Sequence, residues 1–276
     1  MKQRKIFFKV INTLWVGVLG ILFLVPLLWM LSASLKTGPE IFATPFRFFG
    51  ETIRWDNYTA VWDDPNVPFW RLYLNSLKIA VIGTAVQLMI SSMAGYSFAK
   101  IEFKGKNFVF LMILITMMIP AQALIIPRYV LFDMFKLYGT HWALILPSLF
   151  NVTSIFLLRQ FYAGLPNDLM EAARMDGASH YGIWWKVMLP LTKTPMVTVI
   201  VLAFINCWNE YLNPLIFIID YDKYTVAQGI QYFLYSTDEV NWMMAAAASA
   251  IIPVIILFLF TQKYFIESIA TSGVKG

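Results

Sequence analysis

The chain contains six apolar segments that are long enough, or nearly long enough, to cross a lipid bilayer as helices. Hydrophobic residues make up 59% of the sequence and charged residues 13%, whereas soluble domains average about 45–50% and about 25%. A spanning helix needs about 20 apolar residues. The predicted spans are 10–31, 74–98, 108–126, 142–161, 191–219 and 243–265. Because these runs are continuously apolar and do not alternate, the sequence predicts an all-α integral membrane protein with one transmembrane domain over residues 1–276.

The distribution of charge orients these six spans. If the N-terminus is cytoplasmic and the spans alternate, 13 of the 21 Lys and Arg residues and five of the 16 Asp and Glu residues lie on the inner side. The inner side then carries eight net positive charges and the outer side three net negative charges. This excess of Lys and Arg on the cytoplasmic side is typical of membrane proteins. It favours two cytoplasmic termini and argues against a nucleic-acid partner.

The first apolar run also resembles a secretory signal, since it follows the basic stretch KQRKIFFK. Ser32-Ala33-Ser34 would serve as a cleavage site. The run is about 22 residues, however, and the apolar core of a signal peptide has about 7–15. An uncleaved first span is therefore the preferred interpretation.

The segments between the spans carry their own local signals. The outer loop, residues 32–71, is the longest connector and is rich in proline and aromatic residues. Asn75-Ser76 predicts an N-cap for the second span, and Pro120 predicts a bend or an early end of the third. The cytoplasmic side comprises a loop at 164–190 and a polar tail at 266–276.

No residue pattern predicts a metal or a catalytic site. Cys207 is the only cysteine, and the two histidines, His141 and His180, are far apart. No His-Glu-x-x-His motif, Asp pair or Ser–His arrangement falls in the spans, so an intramembrane enzyme is the least favoured class. A phosphate-binding loop is also missing, because Gly105-Lys106 lacks the upstream glycine. ATP hydrolysis is therefore not expected of this chain.

The loop at 164–190 predicts two short helices joined by a tight turn. Asn167 or Asp168 suits the N-cap of a first helix that ends near Met175. Gly177 suits the position after that helix, where a positive φ is needed. Ser179 suits the N-cap of a second helix that ends before Pro190. From the residues alone, a docking surface for another protein and an amphipathic hairpin resting on lipid remain equally open.

Glu171-Ala172-Ala173, Gly177, Val187 and Leu189-Pro190 resemble the EAA loop of bacterial ABC importer permeases. The one departure is Val187, where the family usually has isoleucine. The resemblance extends over nearly the whole chain and is strongest to the carbohydrate branch, in particular the partner permease of maltose-type and multiple-sugar systems. The further matching segments are Ser34-Leu35-Lys36, Asn75-Ser76-Leu77, 94–99, 119–121, 158–161, 176–179, Trp208-Asn209-Glu210 and the C-terminal 272–276.

The resemblance implies a type I ABC importer transmembrane domain in the bacterial cytoplasmic membrane. It implies a second permease chain, forming a heterodimer, two ATPase subunits that bind ATP and Mg²⁺, and an extracytoplasmic sugar-binding protein. The loop would dock on the ATPase, and the C-terminal tail would reach the ATPase interface. The residues implied in ATPase coupling are Glu171, Ala172, Ala173, Asp176, Gly177, Leu189 and Pro190, and those of the tail are Gly273, Val274, Lys275 and Gly276.

The fifth span is the most polar, and its side chains suit hydrogen bonding and stacking with sugars. Glu210 is either a pathway residue or an acid at the outer interface. The asparagines equally suit helix–helix hydrogen bonds, and packing is the favoured interpretation. The candidate pathway residues are Gln87, Asn206, Trp208, Asn209, Glu210 and Tyr211.

Two other transport functions remain as alternatives. One is an ABC importer permease for a solute other than a sugar. The other is a stand-alone secondary transporter, which would need carboxylates for a coupling ion in mid-membrane. Only Glu210 is available for that role, and no inverted repeat is evident.

Overall fold

A computed structural model describes residues 2–45, 47–236 and 239–273, and this part of the chain folds into helices and turns without a β-strand. Short 3₁₀ segments lie at Ala121–Leu124 and Tyr221–Lys223, and a π-helical segment at Trp184–Met188. The α-helices are α1 (Lys2–Ala33), α2 (Gly38–Ile41), α3 (Asp56–Trp62), α4 (Phe69–Lys100), α5 (Lys106–Thr116), α6 (Ile125–Met134), α7 (Trp142–Ser148), α8 (Val152–Ala163), α9 (Asp168–Met175), α10 (His180–Ile183), α11 (Leu189–Leu191), α12 (Lys193–Trp208), α13 (Leu212–Phe217), α14 (Val226–Ser236), α15 (Val240–Ala250) and α16 (Ile252–Gly273).

Among the described residues, four helical stretches are long and apolar enough to cross a membrane: Phe8–Ala33, Phe69–Lys100, Trp142–Ala163 and Val240–Phe265. Two further pairs of helices meet the same criterion together, but each pair is sharply bent. Lys106–Thr116 and Ala121–Met134 meet at 91°, and His180–Leu191 and Lys193–Trp208 meet at 85°. The protein thus has four spans, or six if each bent pair is counted as one span.

The bend after α5 occurs where the sequence predicts it. α5 ends at Thr116, and Pro120 begins the 3₁₀ turn that follows. Proline removes a backbone donor and its ring clashes with the preceding helical turn. Pro127 lies in the first turn of α6, where a missing N–H costs little.

The predicted N-cap at Asn75-Ser76 is wrong, because α4 already begins at Phe69. These two side chains instead bind the segment that leads into α14. The amide of Asn75 donates to the carbonyls of Asp222 and Tyr224 at 2.9 and 3.0 Å. The hydroxyl of Ser76 accepts the backbone N–H of Val226 at 2.8 Å. Ser76 therefore binds the first N–H of α14, and Asn75 binds the turn that precedes that helix.

The chain divides into two compact units, residues 1–70 with 229–252 and residues 71–228 with 253–276. In the first unit, α15 packs against α1 and α3. Asn57, on α3, is buried and donates to the carbonyls of Ser34 and Lys36, both at 2.9 Å. Its oxygen accepts from the Asn241 amide of α15 at 2.8 Å. One asparagine thus joins α3, α15 and the start of the outer loop.

Glu40 organises the outer loop through three hydrogen bonds to its carboxylate. It accepts from the backbone and the hydroxyl of Thr37, at 2.9 and 2.8 Å, and from the backbone N–H of Glu51 at 2.9 Å. Because these donors favour the charged form, with the Thr37 backbone contributing most, they lower the pKa of Glu40 to about 2.

In the second unit, α4 and α8 approach each other closely at Gly95. A methyl group at this position would lie 2.9 Å from the backbone nitrogen of Arg159 and 3.1 Å from Cβ of Leu158. Small residues at helix interfaces permit such approach in membranes. Hydrogen bonds from Gln87 to Ser154, at 2.9 Å, and between Ser92 and Tyr162, at 2.7 Å, join the same two helices.

We expect Gly95→Ala to destabilise the second unit by about 1–3 kcal/mol, because the added methyl overpacks a contact with backbone. Thermal unfolding of the purified protein in detergent measures the loss. Gly164→Ala is the matched control, since its methyl would meet only ordinary contacts, the nearest at 3.5 Å. Equal stability of the two variants would contradict the close approach of α4 and α8.

We expect acid to loosen the outer loop through Glu40. The folded-state pKa, about 2, lies below the ordinary glutamate value of 4.5, so the stabilisation is complete above pH 4.5 and is lost as the pH falls through about 2. Digestion by an acid-active protease measures this change. Glu40→Gln is cut faster than wild type at pH 5, and the two rates converge near pH 2. Glu51→Gln serves as the control, because the Glu51 carboxylate is exposed and pairs with Arg47. Faster cleavage of that variant at pH 5, with the same convergence near pH 2, would count against Glu40.

Candidate coupling hairpin and polar cavity

Residues 168–191, which contain α9, α10, the π segment and α11, form a surface hairpin. We call it the coupling hairpin, after the role that the sequence resemblance implies for it. Its turn has the geometry that the sequence predicts. Gly177 has a φ of +79°, its N–H donates to the Arg174 carbonyl at 2.9 Å, and the Ala178 N–H donates to the Ala173 carbonyl at 3.0 Å. This pair of bonds defines a Schellman motif. The hydroxyl of Ser179 accepts the Gly182 N–H at 3.2 Å and caps α10.

The start of the coupling hairpin is fixed by Lys100, which is buried at the end of α4. Its ammonium donates to the Leu165 carbonyl and to the side-chain oxygen of Asn167, both at 2.6 Å. Asn167 occupies the N-cap position of α9, but its side chain makes no capping bond there. The predicted cap residue thus attaches the hairpin to α4.

The second helix does not end before Pro190, and that prediction is wrong. The chain continues from α10 through the π segment into α11, which ends at Leu191. Pro190 is the second residue of α11, directly after the π segment. The sharp bend instead comes at Thr192, between α11 and α12.

The inner face of the coupling hairpin is apolar and buried. Met170 and Ile183 belong to one buried cluster with Tyr96 of α4 and Leu158 of α8. Ala173, Val187 and Leu189 pack against the edge of that cluster and are half-buried. Burial of this face stabilises a fixed position of the hairpin on the helix ends.

A chain of hydrogen bonds crosses this apolar cluster. The indole N–H of Trp184 donates to the hydroxyl of Ser92, at 3.0 Å, and the Ser92 hydroxyl also contacts the phenol of Tyr162, at 2.7 Å. Thr192 donates to the same phenol at 3.5 Å. All four residues are buried. The hairpin is therefore bonded to α4, to α8 and to the start of α12 by the same group of side chains.

The outer face of the coupling hairpin is free of these contacts. Glu171, Ala172, Asp176 and Gly177 are exposed, and Pro190 is also exposed. The side chain of Met175 is the most open, with 89% of its surface exposed. Sequence reasoning missed Met175, although it lies five residues after the buried Met170 and so on the opposite face of α9. A face with two acids, one alanine and one open methionine suits contact with another protein.

A polar cavity of about 360 Å³ lies within the second unit. The residues around it come from α4, α6, α7, α12 and α13 and from the turns between them. Three of the predicted pathway residues, Gln87, Asn206 and Glu210, line it. Arg128, Asn151 and Asn213 also contribute polar side chains to the lining.

The remaining predicted pathway residues lie outside this lining. Trp208 is buried, with only 2% of its surface exposed, and its ring packs against Phe204 and Tyr73 at 5.8 and 5.3 Å. Tyr211 is half-buried, and Asn209 is exposed. An indole suits both sugar stacking and helix packing. In this structure the Trp208 indole packs against neighbouring aromatic rings.

The charged groups of the cavity are joined through Asn213. Arg128 donates to the side-chain oxygen of Asn213 at 3.0 Å, and Glu210 accepts the backbone N–H of Asn213 at 3.1 Å. Sequence reasoning missed Arg128 and Asn213 because they lie 85 residues apart. The only signal was a charged residue directly after Pro127, between two predicted spans.

The predicted C-terminal tail is only partly described. α16 extends through Gly273, and Val274, Lys275 and Gly276 lie outside the described residues. Within the described part of the chain, no group of three or more His, Cys, Asp or Glu residues could hold a metal ion.

The all-helical membrane architecture, with a bonded surface hairpin and a polar cavity, defines a membrane transport subunit. The chain matches the family described as "Binding-protein-dependent transport system inner membrane component" over residues 87–271, and it belongs to this family. It is therefore a multi-pass inner-membrane permease, and not an enzyme. Membership implies that it works with the other components of a binding-protein-dependent importer.

Relatives and a solved structure agree with this assignment. The chain is 34% identical over 272 residues to the arabinooligosaccharides transport system permease protein AraQ of Bacillus subtilis, covering 98% of this chain and 96% of that protein. It is 33% identical over 263 residues, 93% of each chain, to the sn-glycerol-3-phosphate transport system permease protein UgpE of Escherichia coli O1:K1. It also matches a bacterial ABC transporter involved in the import of the acidic polysaccharide alginate, with a TM-score of 0.81 and 25% identity over 94% of this chain and 96% of that one. The predicted type I ABC importer fold is thus confirmed.

We expect Trp184→Phe to loosen the coupling hairpin, because it removes the indole donor to Ser92. A hydrogen bond of this kind contributes about 1 kcal/mol, which corresponds to roughly fivefold faster amide exchange in the hairpin. Hydrogen exchange of the purified protein measures the change. Trp185→Phe is the matched control, since Trp185 is exposed, and a similar acceleration in both variants would contradict the role of Trp184.

Proposed function

We propose that this permease forms half of the translocation pathway of an ATP-driven carbohydrate importer. The proposal for a carbohydrate is supported by relatives named for arabinooligosaccharide transport and by the structural similarity to an alginate importer. The UgpE relative is named for sn-glycerol-3-phosphate, so a polyol phosphate is the second candidate solute. A stand-alone secondary transporter finds no support, because family members belong to binding-protein-dependent systems.

The coupling hairpin is the part of the chain that receives motion from a partner ATPase. The observation that carries this role is the contrast between its two faces. The inner face is bonded to α4, α8 and α12 through Trp184 and Tyr162, whereas the outer face with Glu171 and Met175 is exposed. The buried face of the hairpin is bonded to the membrane helices, and its exposed face is available to a partner. A displacement of the hairpin by the partner is therefore transmitted to those helices. An amphipathic hairpin on lipid would instead present its apolar face to the membrane.

The other subunits complete the importer. A second, different permease chain supplies the other half of the pathway, and α1 offers it a long apolar surface, because most side chains of α1 from Phe8 onward are exposed. Two ATPase subunits bind ATP and Mg²⁺. The docking surface of the ATPase contacts Glu171, Ala172, Asp176 and Gly177 of the hairpin. An extracytoplasmic sugar-binding protein delivers the solute to the outer side. The tail from Gly273 to Gly276 extends the contact with the ATPase.

Measurement of saccharide uptake by the reconstituted importer tests this proposal. In proteoliposomes that contain both permeases, the ATPase and the loaded binding protein, Glu171→Lys reverses a charge on the docking face. Gly177→Asp places a side chain at a φ of +79°, where it is strained. We expect each variant to lower ATP-driven saccharide uptake about tenfold or more, equivalent to at least about 1.4 kcal/mol of coupling, while the chain stays in the membrane.

Glu102→Lys is the matched control for the charge reversal. Glu102 is exposed, lies outside the coupling hairpin and forms an ion pair with Lys106. Because the Glu102 carboxylate is open to solvent, loss of this pair costs little. Normal uptake in Glu171→Lys and Gly177→Asp would overturn the coupling role. Uptake of sn-glycerol-3-phosphate without uptake of any saccharide would overturn the carbohydrate assignment.

A further inference from the structure

Three breaks in the membrane helices meet at the polar cavity. The break between α5 and α6 brings Ala121 to its lining, the break between α7 and α8 brings Phe150 and Asn151, and the break between α12 and α13 brings Glu210. Lipid leaves backbone groups without hydrogen-bond partners, so non-helical backbone at membrane depth is tolerated only inside protein or beside water. Because three breaks converge on this one cavity, we infer that the cavity holds water or a polar solute beside the non-helical backbone.

The cavity lies beside the middle of α4, which is one of the helices long and apolar enough to cross a membrane. α4 contributes Ile79 and Gln87 to its lining, and these residues bracket the midpoint of a 32-residue helix that is about 48 Å long. Binding sites of membrane transporters are commonly found near the midplane, where helices are discontinuous. The volume of about 360 Å³ is at the lower end of the range of small-molecule sites, which are about 300–1,000 Å³.

The charges of the cavity balance each other. Arg128 and Glu210 are its only charged lining residues among the described part of the chain, and both are bound to Asn213, as described above. The other polar side chains of the lining carry no formal charge, and they include the amides of Gln87, Asn151 and Asn206. An anion would have to compete with Glu210 and a cation with Arg128, whereas a neutral polyhydroxyl compound meets donors and acceptors without a net charge.

An aromatic ring also lines the cavity, next to these polar groups. Phe150 lines the cavity at the break between α7 and α8, and its side chain is exposed. A sugar ring carries C–H groups on its faces and hydroxyls around its edge, so it suits one apolar ring surrounded by amides. Asn206, which is also exposed, lies in the lining with Phe150.

We propose that this cavity is a binding site for one uncharged saccharide unit in transit, with Phe150 as the apolar face and Gln87, Asn206 and Glu210 as hydrogen-bonding groups. The proposal rests on the proposed function and deepens it, since this chain then contacts the solute directly and selects neutral units over acidic ones.

The chain provides its own probe for the site. Cys207 is its only cysteine and lines the cavity. In the complete importer in proteoliposomes, a small water-soluble thiol reagent modifies Cys207, and mass spectrometry of the peptide gives the rate. Arabinobiose and maltose serve as neutral probes and a disaccharide of uronic acids as the acidic probe. At about ten times its dissociation constant, a bound neutral saccharide lowers the rate about tenfold, whereas the acidic probe leaves it unchanged.

A matched pair of variants separates the site from the rest of the importer. Asn206→Leu fills the cavity, whereas Asn209→Leu makes the same change at an exposed position outside the lining. We expect Asn206→Leu to abolish the protection of Cys207 and to reduce uptake at least about tenfold, while ATP hydrolysis stimulated by the loaded binding protein persists. Asn209→Leu should behave as wild type.

The outcomes distinguish this proposal from the proposed function. If wild-type importer takes up neutral saccharide but none of the probes protects Cys207 and Asn206→Leu transports normally, the binding site is overturned and the importer function stands. Equal protection by the acidic probe overturns the selection of neutral units. Absence of any ATP-driven saccharide uptake by wild type overturns the proposed function itself.

Discussion

The hydrogen bonds between Ser92, Tyr162 and Trp184 join the membrane helices of the second unit to the coupling hairpin. Ser92 belongs to α4, Tyr162 to α8 and Trp184 to the coupling hairpin, so one buried polar group fixes three elements at once. Buried polar groups that are fully bonded rigidify a packed region, and they are costly to break because each orphaned group remains buried. The outer face of the hairpin therefore cannot move without moving the two membrane helices beneath it.

The same two helices reach from the coupling hairpin to the cavity. Ser92 lies five residues after Gln87 on α4, which is about 7.5 Å along the helix. Gln87 lines the cavity and donates to Ser154 of α8 at 2.9 Å. Three residues beyond Ser92, the two helices approach closely at Gly95. α4 and α8 thus form a bonded pair that joins the proposed docking surface of the hairpin to the wall of the proposed pathway, which gives the proposed coupling a physical route.

The sequence predicts those features that depend on local chemistry. The turn at Gly177, the cap at Ser179 and the bend at Pro120 each follow from the conformational preferences of one residue, and all three are present. The apolar composition likewise predicts membrane helices. The EAA pattern marks the hairpin before any coordinates are known.

Features that depend on distant contacts are not readable from the sequence. Asn75 and Ser76 look like a cap for the helix that follows them, but they bind a segment about 150 residues later. Arg128 is recognisable as part of the cavity only when the fold brings Asn213 within hydrogen-bond distance of it. Trp208 has the chemistry of a sugar platform but is used in packing. Side-chain type constrains what a residue is able to do, and the fold decides which partner it meets.

The central claim is that the coupling hairpin and α4 move as one body during ATP-driven transport. A distance measurement tests it directly, with spin labels at Met93→Cys on α4 and Met175→Cys on the hairpin in a Cys207→Ser background; both labelled side chains are exposed. Pulsed electron–electron double resonance in the complete importer gives the distance with and without ATP. The account predicts one narrow distribution that is the same in both states. A distribution that shifts or broadens when ATP binds would show that the hairpin slides on α4 and would contradict the claim.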